Sequence, residues 1–300
     1  MTPGAAPPPV CVPAPTVSWL RRAVLAYGRR ELRPFPWRAT RHPWAVLVSE
    51  VMLQQTPPGR VVGPYGRFLR LFPTPRACAA GPAGDVLAAW AGLGYNRRAR
   101  DLHRSATAVT RRHAGLVPVE FDALRALPGV GPYTARAVRV FAYERDDAVV
   151  DVNVARVIAR AVVGAPLGQS ATQVVADALV PRGRGWLWNQ SLMEIGALVC
   201  TRRRPACARC PLARHCAWRA AGSPRPDPAA PPSSPSAFAG SDRQGRGRLV
   251  AALRGGPVSP ARLPAACGWP DDPDRARAVA GALVTEGLAR RGPGGLLRLP

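Results

Sequence analysis

The 300-residue sequence contains no lysine: all 42 of its Lys-plus-Arg residues are arginine. Without a side-chain ε-amine, a lysine Schiff base is excluded, and the N-terminal amine is the one primary amine left. Acidic residues are scarce too, 18 Asp and Glu in all, so the formal net charge is +24. A surplus of that size points to a polyanionic partner. Long apolar runs are missing, and none approaches the ~20 residues of a membrane-spanning helix. Residues 1–16 form a Pro/Ala-rich tail, expected to be disordered, without the cationic start and apolar stretch of a secretory signal. The expectation is a soluble, cytoplasmic protein with no membrane partner. Alternating strand patterns are almost absent, which points to an all-α fold.

Cysteine is also sparse, seven residues, yet four of them crowd together: Cys200, Cys207, Cys210 and Cys216, spaced C-x6-C-x2-C-x5-C. Disulfide frameworks suit small secreted domains and fit poorly here. Four thiolates suit tetrahedral zinc or an iron–sulfur cluster equally well, so the spacing identifies a four-cysteine site without choosing the metal.

Helical periodicity dominates the rest. Trp19, Leu20, Ala23, Val24 and Tyr27 share one apolar face; Trp44, Leu47, Val48, Val51 and Met52 share another, closed by Pro57-Pro58. Val86, Leu87 and Trp90 make a short helix stopped at Gly92 and Gly94, and Leu102, Ala106 and Val109 mark a longer one. Phe121, Leu124 and Leu127 lead into the tight hairpin Pro128-Gly129-Val130-Gly131, with Pro132 in the first turn of the next helix. Asp151 stands where an N-cap would before residues 152–163, Ser170 with Gln173 reads as a capping box, and residues 186–199 form the last long helix before Cys200. The predicted organisation is a tail (1–16), a core (17–220) holding the cysteine loop (200–216), a flexible Pro/Ser/Ala-rich linker (221–240) and a small module (241–300). The turn at Gly292-Pro293-Gly294-Gly295 between short apolar pieces makes that module winged-helix-like.

Three segments could carry chemistry. A glycine-rich hairpin at a helix N-terminus turns backbone N–H groups outward and can hold a phosphate without reading sequence, which singles out Gly129, Val130 and Gly131. Glu50, within Ser49-Glu50-Val51-Met52-Leu53-Gln54-Gln55-Thr56, lies at the flank of an apolar helix face. Asp151 is flanked by valines at a helix start. A helix N-terminus keeps an Asp ionised and an apolar pocket keeps a Glu protonated, and two carboxyls so separated suit acid-assisted glycosidic cleavage. The ordinary alternatives are a solvated glutamate and a simple helix cap.

The string 49–56, Gly92-Leu93-Gly94-Tyr95, the Leu127–Ala135 hairpin, Val150-Asp151-Val152-Asn153 and the four cysteines occur together in an order that resembles the MutY-type adenine DNA glycosylases, of the superfamily that also contains endonuclease III. The resemblance covers about residues 17–219. It implies a helix-hairpin-helix DNA glycosylase fold and a [4Fe-4S] cluster on Cys200, Cys207, Cys210 and Cys216. It implies a monomeric, nucleoid-associated base excision repair enzyme acting on double-stranded DNA with adenine opposite 8-oxoguanine or guanine. Glu50 then resembles the general acid that protonates adenine N7, and Asp151 the carboxylate that stabilises the oxocarbenium ion. Tyr133 falls where lyase-type relatives carry a Schiff-base lysine, so a monofunctional glycosylase is expected, and Asn153 resembles an active-site hydrogen-bonding residue. Gln55, Thr56, Leu93 and Tyr95 align with residues that wedge the duplex and contact the opposing purine; Trp37, Arg38 and Glu194 match positions lining the adenine pocket.

Residues 201–220 carry six arginines, Arg202 and Arg203 among them, and no Asp or Glu, which reads as a phosphate-contacting surface threaded through the cysteine loop. Residues 241–300 are too short and too helical for the Nudix-like domain of better-known members, so discrimination of the opposing base is expected from Gln55, Thr56 and Leu93, or from the C-terminal module. The rivals are a thymine or uracil glycosylase of the same fold, a non-catalytic iron–sulfur DNA-binding protein, and a zinc-dependent one.

Overall fold

The computed structural model describes residues 14–229 and 237–300. Its helices are α1 (Ala14–Glu31), α2 (Pro43–Leu53), α3 (Pro58–Leu71), α4 (Pro75–Ala80), α5 (Ala83–Ala89), α6 (Arg97–Arg112), α7 (Phe121–Arg125) and α8 (Pro132–Tyr143). They continue with α9 (Val152–Val157), α10 (Gln169–Leu179), α11 (Gly185–Glu194), α12 (Ala217–Ala220), α13 (Asp242–Arg254), α14 (Leu263–Cys267) and α15 (Pro273–Thr285). Two short strands, β1 (Arg290–Arg291) and β2 (Leu297–Arg298), pair antiparallel with Arg290 opposite Arg298, and Val258 adds a bridge to Leu297. The expectation of an all-α fold holds. Among the described residues no helix is long and apolar enough to cross a membrane.

The chain forms two compact units. One comprises residues 1–39 and 135–234, the other residues 40–134 and 235–300. The division therefore does not follow the linear one expected from composition. The first unit is built on α1 against α11, with Leu20, Val24, Val154, Ile158, Trp188 and Ile195 in its core. Arg21 of α1 donates to the carbonyls of Ala178, Leu179 and Val180, closing the C-terminal end of α10. Helices α9 and α11 both run on into π-helical turns, Ile158–Val163 and Ile195–Val199.

In the second unit α2 is buried from Trp44 to Met52 without a break. A helix apolar on nearly every side has to be surrounded, and the Trp44 indole N–H reaches the Phe72 carbonyl at 2.9 Å. Helix α3 was not anticipated: Gly59, Gly63, Pro64 and Gly66 argue against a helix, yet Val61, Tyr65 and Phe68 bury one face.

Several expectations need correction. Helix α1 begins at Ala14, inside the supposed tail; residues 1–13 lie outside the described residues. Ser170 and Gln173 do not form a capping box, because α10 starts at Gln169 with Gly168 as its N-cap, and Gln173 donates instead to the Ala148 carbonyl and Asp177. The linker is tethered over its first part: Pro224 accepts from the Trp218 indole and Asp227 pairs with buried Arg160. Residues 230–236 of that linker lie outside the described residues.

Candidate active site and cysteine cavity

Glu50 sits in the last two turns of α2 and is 4 % exposed, so the solvated alternative is excluded. Beyond it the chain turns sharply: Gln55 adopts a left-handed backbone at φ 53°, and on the neighbouring loop Tyr95 does so at φ 45°. Non-glycine residues in that region are strained and persist where surrounding contacts over-determine them. Here the contacts come from Arg98 on α6, a residue the sequence did not single out. Its guanidinium is buried and donates to the carbonyls of Val51 (3.0 Å), Met52 (2.8 Å) and Gln54 (2.5 Å), to the Thr56 hydroxyl (3.0 Å), and to the carbonyls of Leu93 (3.1 Å) and Gly94 (3.2 Å). Arg98 thus grips the residue immediately before each left-handed one, and lies 5.5 Å from both the Trp90 and Tyr95 rings. Burial pushes the guanidinium down to about 10, still charged at neutral pH.

The four wedge candidates divide accordingly. Gln55 and Tyr95 are exposed, Tyr95 by 52 %, whereas Thr56 and Leu93 are buried at 6 % and 2 %. Half-buried Tyr133 lies on the first turn of α8, where the adjacent Thr134 hydroxyl accepts from Gln54 Nε2 at 3.3 Å. The hairpin before it is fixed to α6. Ser105 donates to the Pro128 carbonyl at 2.6 Å, Gly129 is left-handed at φ 75°, and a Cβ on Gly129 would stand 2.8 Å from Asp101 Cβ. The Val130 N–H closes the turn on the Leu127 carbonyl, and its side chain is buried.

In the other unit Asp151 is the N-cap of α9. Its carboxylate accepts from the backbone N–H groups of Asn153 (2.9 Å) and Val154 (2.7 Å) and from the Asn153 side chain (2.8 Å). Asn153 is held in turn by Arg156, whose guanidinium also donates to the carbonyls of Gly196 and Cys200, each at 2.7 Å. A single arginine therefore connects the cap of Asp151 to the start of the cysteine loop. Buried Asn189, also unnoticed in the sequence, holds the approach by accepting from Val149 N–H at 2.7 Å and donating to the Asp147 carbonyl at 2.9 Å.

Trp37 is buried and stacked on Phe35. Arg38 donates to Glu194 at 2.5 Å and to Gln190 at 2.7 Å, and Arg33 holds the other Glu194 oxygen at 2.6 Å. Burial alone would raise the Glu194 carboxyl, but the two arginines hold it below its ordinary value. Arg38 and Glu194 are thus engaged with each other in a closed ionic network.

Cys200, Cys207, Cys210 and Cys216 line one small cavity, bordered by Arg160, Leu212 and Trp218. Burial, with repulsion among the four thiols added, pushes Cys210 up to about 11. Arg160 is 2 % exposed, donates toward Cys200 Sγ at 3.5 Å and to the carbonyls of Thr201 (2.8 Å) and Arg202 (3.0 Å), and stacks over Trp218. Arg202 and Arg203 are exposed on the loop so braced. Among the described residues no three His, Cys, Asp or Glu side chains converge to hold a single metal ion.

This architecture, two helices about a glycine hairpin with a cysteine loop beyond, is that of the helix-hairpin-helix base excision glycosylases. Residues 48–176 match the HhH-GPD superfamily of base excision DNA repair proteins. A thermostable thymine-DNA glycosylase superposes with a TM-score of 0.65 at 30 % identity, over 69 % of this chain and 98 % of that one. An endonuclease III–DNA complex gives 0.59 at 22 % identity, which speaks to the fold alone. The adenine DNA glycosylase of Mycobacterium tuberculosis is 44 % identical over 97 % of this chain and 98 % of its own length, and the human one 38 % identical over 68 % and 40 %. The chain belongs to the MutY-type adenine DNA glycosylases.

Proposed function

We propose that this enzyme removes adenine paired with 8-oxoguanine or guanine in duplex DNA and leaves an abasic site. The observation that carries the reading is Glu50, a carboxyl buried to 4 % exposure on an otherwise apolar helix beside the Gln55 turn. An acid shielded from bulk water suits proton donation to adenine N7, which turns a poor leaving group into a good one, and general acid catalysis contributes about 10²–10⁴-fold. Asp151, fixed by three N–H donors, stabilises the sugar cation as the glycosidic bond breaks. Extrusion of the base costs a few kcal/mol, offset by exposed Gln55 and Tyr95 at the duplex and by phosphate contacts at Gly129, Gly131, Arg202 and Arg203, the Val130 N–H being taken by the Leu127 carbonyl. With Tyr133 at the lyase position and no lysine in the sequence, strand scission by β-elimination is not part of the activity.

The four cysteines would hold a [4Fe-4S] cluster. All four thiols line one cavity, a donor set that fits thiolate ligation of a cluster, and the family likeness favours the cluster over zinc. The cluster would supply bracing for the arginine-bearing loop. Arg160 contributes an N–H toward Cys200 and two to backbone carbonyls there.

The test is alkali-revealed cleavage of duplexes carrying adenine opposite 8-oxoguanine, guanine, cytosine and thymine, with uracil and thymine mispaired with guanine alongside. Release of adenine from the first two, lost by at least ~10² in Glu50→Gln with DNA binding retained, is expected. Release of uracil or thymine in place of adenine would overturn the assignment.

A further inference from the structure

The exposed Tyr95 is held on two sides. On its N-terminal side Arg98 grips the Gly94 carbonyl. On its C-terminal side the next residue, Asn96, accepts from Arg254 Nη2 at 3.0 Å, while Arg254 Nε donates to the Leu87 carbonyl at 3.1 Å. Arg254 is the last residue of α13, so this anchor comes from the C-terminal segment. A second tie lies one residue further on. Glu286, just after α15, accepts from Arg97 Nη2 at 2.5 Å and Nε at 2.8 Å and from Arg246, and its own carbonyl accepts from Arg100 at 2.5 Å. A third contact is Gly84 N–H to the Pro300 carbonyl at 3.1 Å. Three points on residues 242–300 thus converge on residues 84–100, the stretch that contains the Tyr95 turn.

The charges of the segment are arranged for this junction more than for reading DNA with α15. Arg275 pairs with Asp242 and Arg277 with Asp274, so the arginines on that helix are already engaged. The junction is also permanent across assay pH. Hydrogen bonds from Arg97, set against partial burial and joined by Arg246, hold the Glu286 carboxyl down at about 2, so it stays ionised.

We propose that residues 242–300 set opposing-base discrimination through Arg254, which fixes Asn96 and so the Tyr95 turn, with Glu286 as the second tie. Arg254 is a positioning residue, acting on the duplex only through Tyr95. The inference rests on the reading that Gln55 and Tyr95 meet the opposing strand.

The experiment measures single-turnover adenine release by the full chain on duplexes with 8-oxoguanine, guanine or cytosine opposite adenine, for Arg254→Met, Asn96→Ala and the double variant. Each single change should lower the ratio of the 8-oxoguanine rate to the guanine rate by roughly five- to tenfold. The double variant should lose no more discrimination than Arg254→Met alone, because both single changes break the Arg254–Asn96 contact and Arg254→Met already removes the Leu87 bond as well. Asn96→Ala trims an amide without touching the packing of α13, so it decides the matter even where Arg254→Met folds poorly. Variants that keep the parent's ratio, that lose rate equally on every duplex, or whose effects add would overturn the inference alone. A parent chain that releases no adenine would instead sink the activity on which the inference rests.

Discussion

Arg98 concentrates the residue-scale logic of the second unit. Its six acceptors lie on two separate stretches, the end of α2 with the Gln55 turn and the Leu93–Gly94 loop, five of them backbone carbonyls, and no lysine could replace the planar fork that reaches both. Leaving buried acceptors unpaired costs about 1–3 kcal/mol each, moderated where water enters. Arg98→Met should therefore lower stability by at least about 3 kcal/mol in denaturant unfolding. Arg98→Lys should recover part of that stability without restoring full DNA affinity, since one ammonium holds one loop. If Arg98→Lys matched the parent in both measurements, the two-loop grip would have no role. The residue also marks a limit of sequence reading. Glu50, Asp151 and the cysteines stand out because their chemistry is written in their own side chains and spacing. Arg98, Asn189 and Arg160 act on carbonyls and cysteine sulfur brought near by folding, and a carbonyl has no residue identity to read.

Among elements, the crossing of α9 with the end of α11 leaves no room for a side chain. A Cβ at Gly196 would stand 2.7 Å from Asn153 Cβ and 2.8 Å from its carbonyl oxygen, so only glycine lets the π-helical turn after α11 lie against the residue that holds Asp151. Gly196→Ala should push the start of α9 outward, destabilise the fold by about 1–3 kcal/mol, and cost up to ~10²-fold in single-turnover rate through misplacement of Asp151. Exposed Ala197→Ser should leave both unchanged, and equal effects from the two changes would remove the crossing from the account. Element boundaries were legible where a local signal existed: Asp151 before α9, Pro132 opening α8, Gly92 and Gly94 after α5. Helix α3 was hidden because its glycines and proline oppose a helix, and burial of Val61, Tyr65 and Phe68 overrides them. The Ser170 reading fails for the opposite reason: a good capping pattern is present, but the chain begins its helix two residues earlier, with Gly168 as the N-cap.

Over the whole molecule, a charge of +24 can act either as a diffuse cloud or through arginines that touch particular phosphates. The two cases differ in salt dependence. Each phosphate contact adds about 0.9 to the slope of log affinity against log salt, whereas distant surface charge is screened within ~10 Å at 0.1 M. Arg202 and Arg203 are exposed on the loop that Arg160 fixes by donating to the Thr201 and Arg202 carbonyls, so their positions are set by the protein rather than by the DNA. Arg111 and Arg112, at the end of α6, are also exposed and carry the same charge without such a brace. Converting Arg202 and Arg203 to glutamine should reduce the slope by about 1.8 on a fluorescence-anisotropy titration in the Glu50→Gln background, where turnover is expected to be lost. The same conversion of Arg111 and Arg112 removes an equal charge and should leave the slope within experimental scatter. Removal of the iron of the proposed cluster should act like the first pair, because it would free the loop while leaving every arginine in the chain. Equal slopes for the two double variants would mean that the surplus charge works as a cloud and that the cysteine cavity braces nothing the DNA feels.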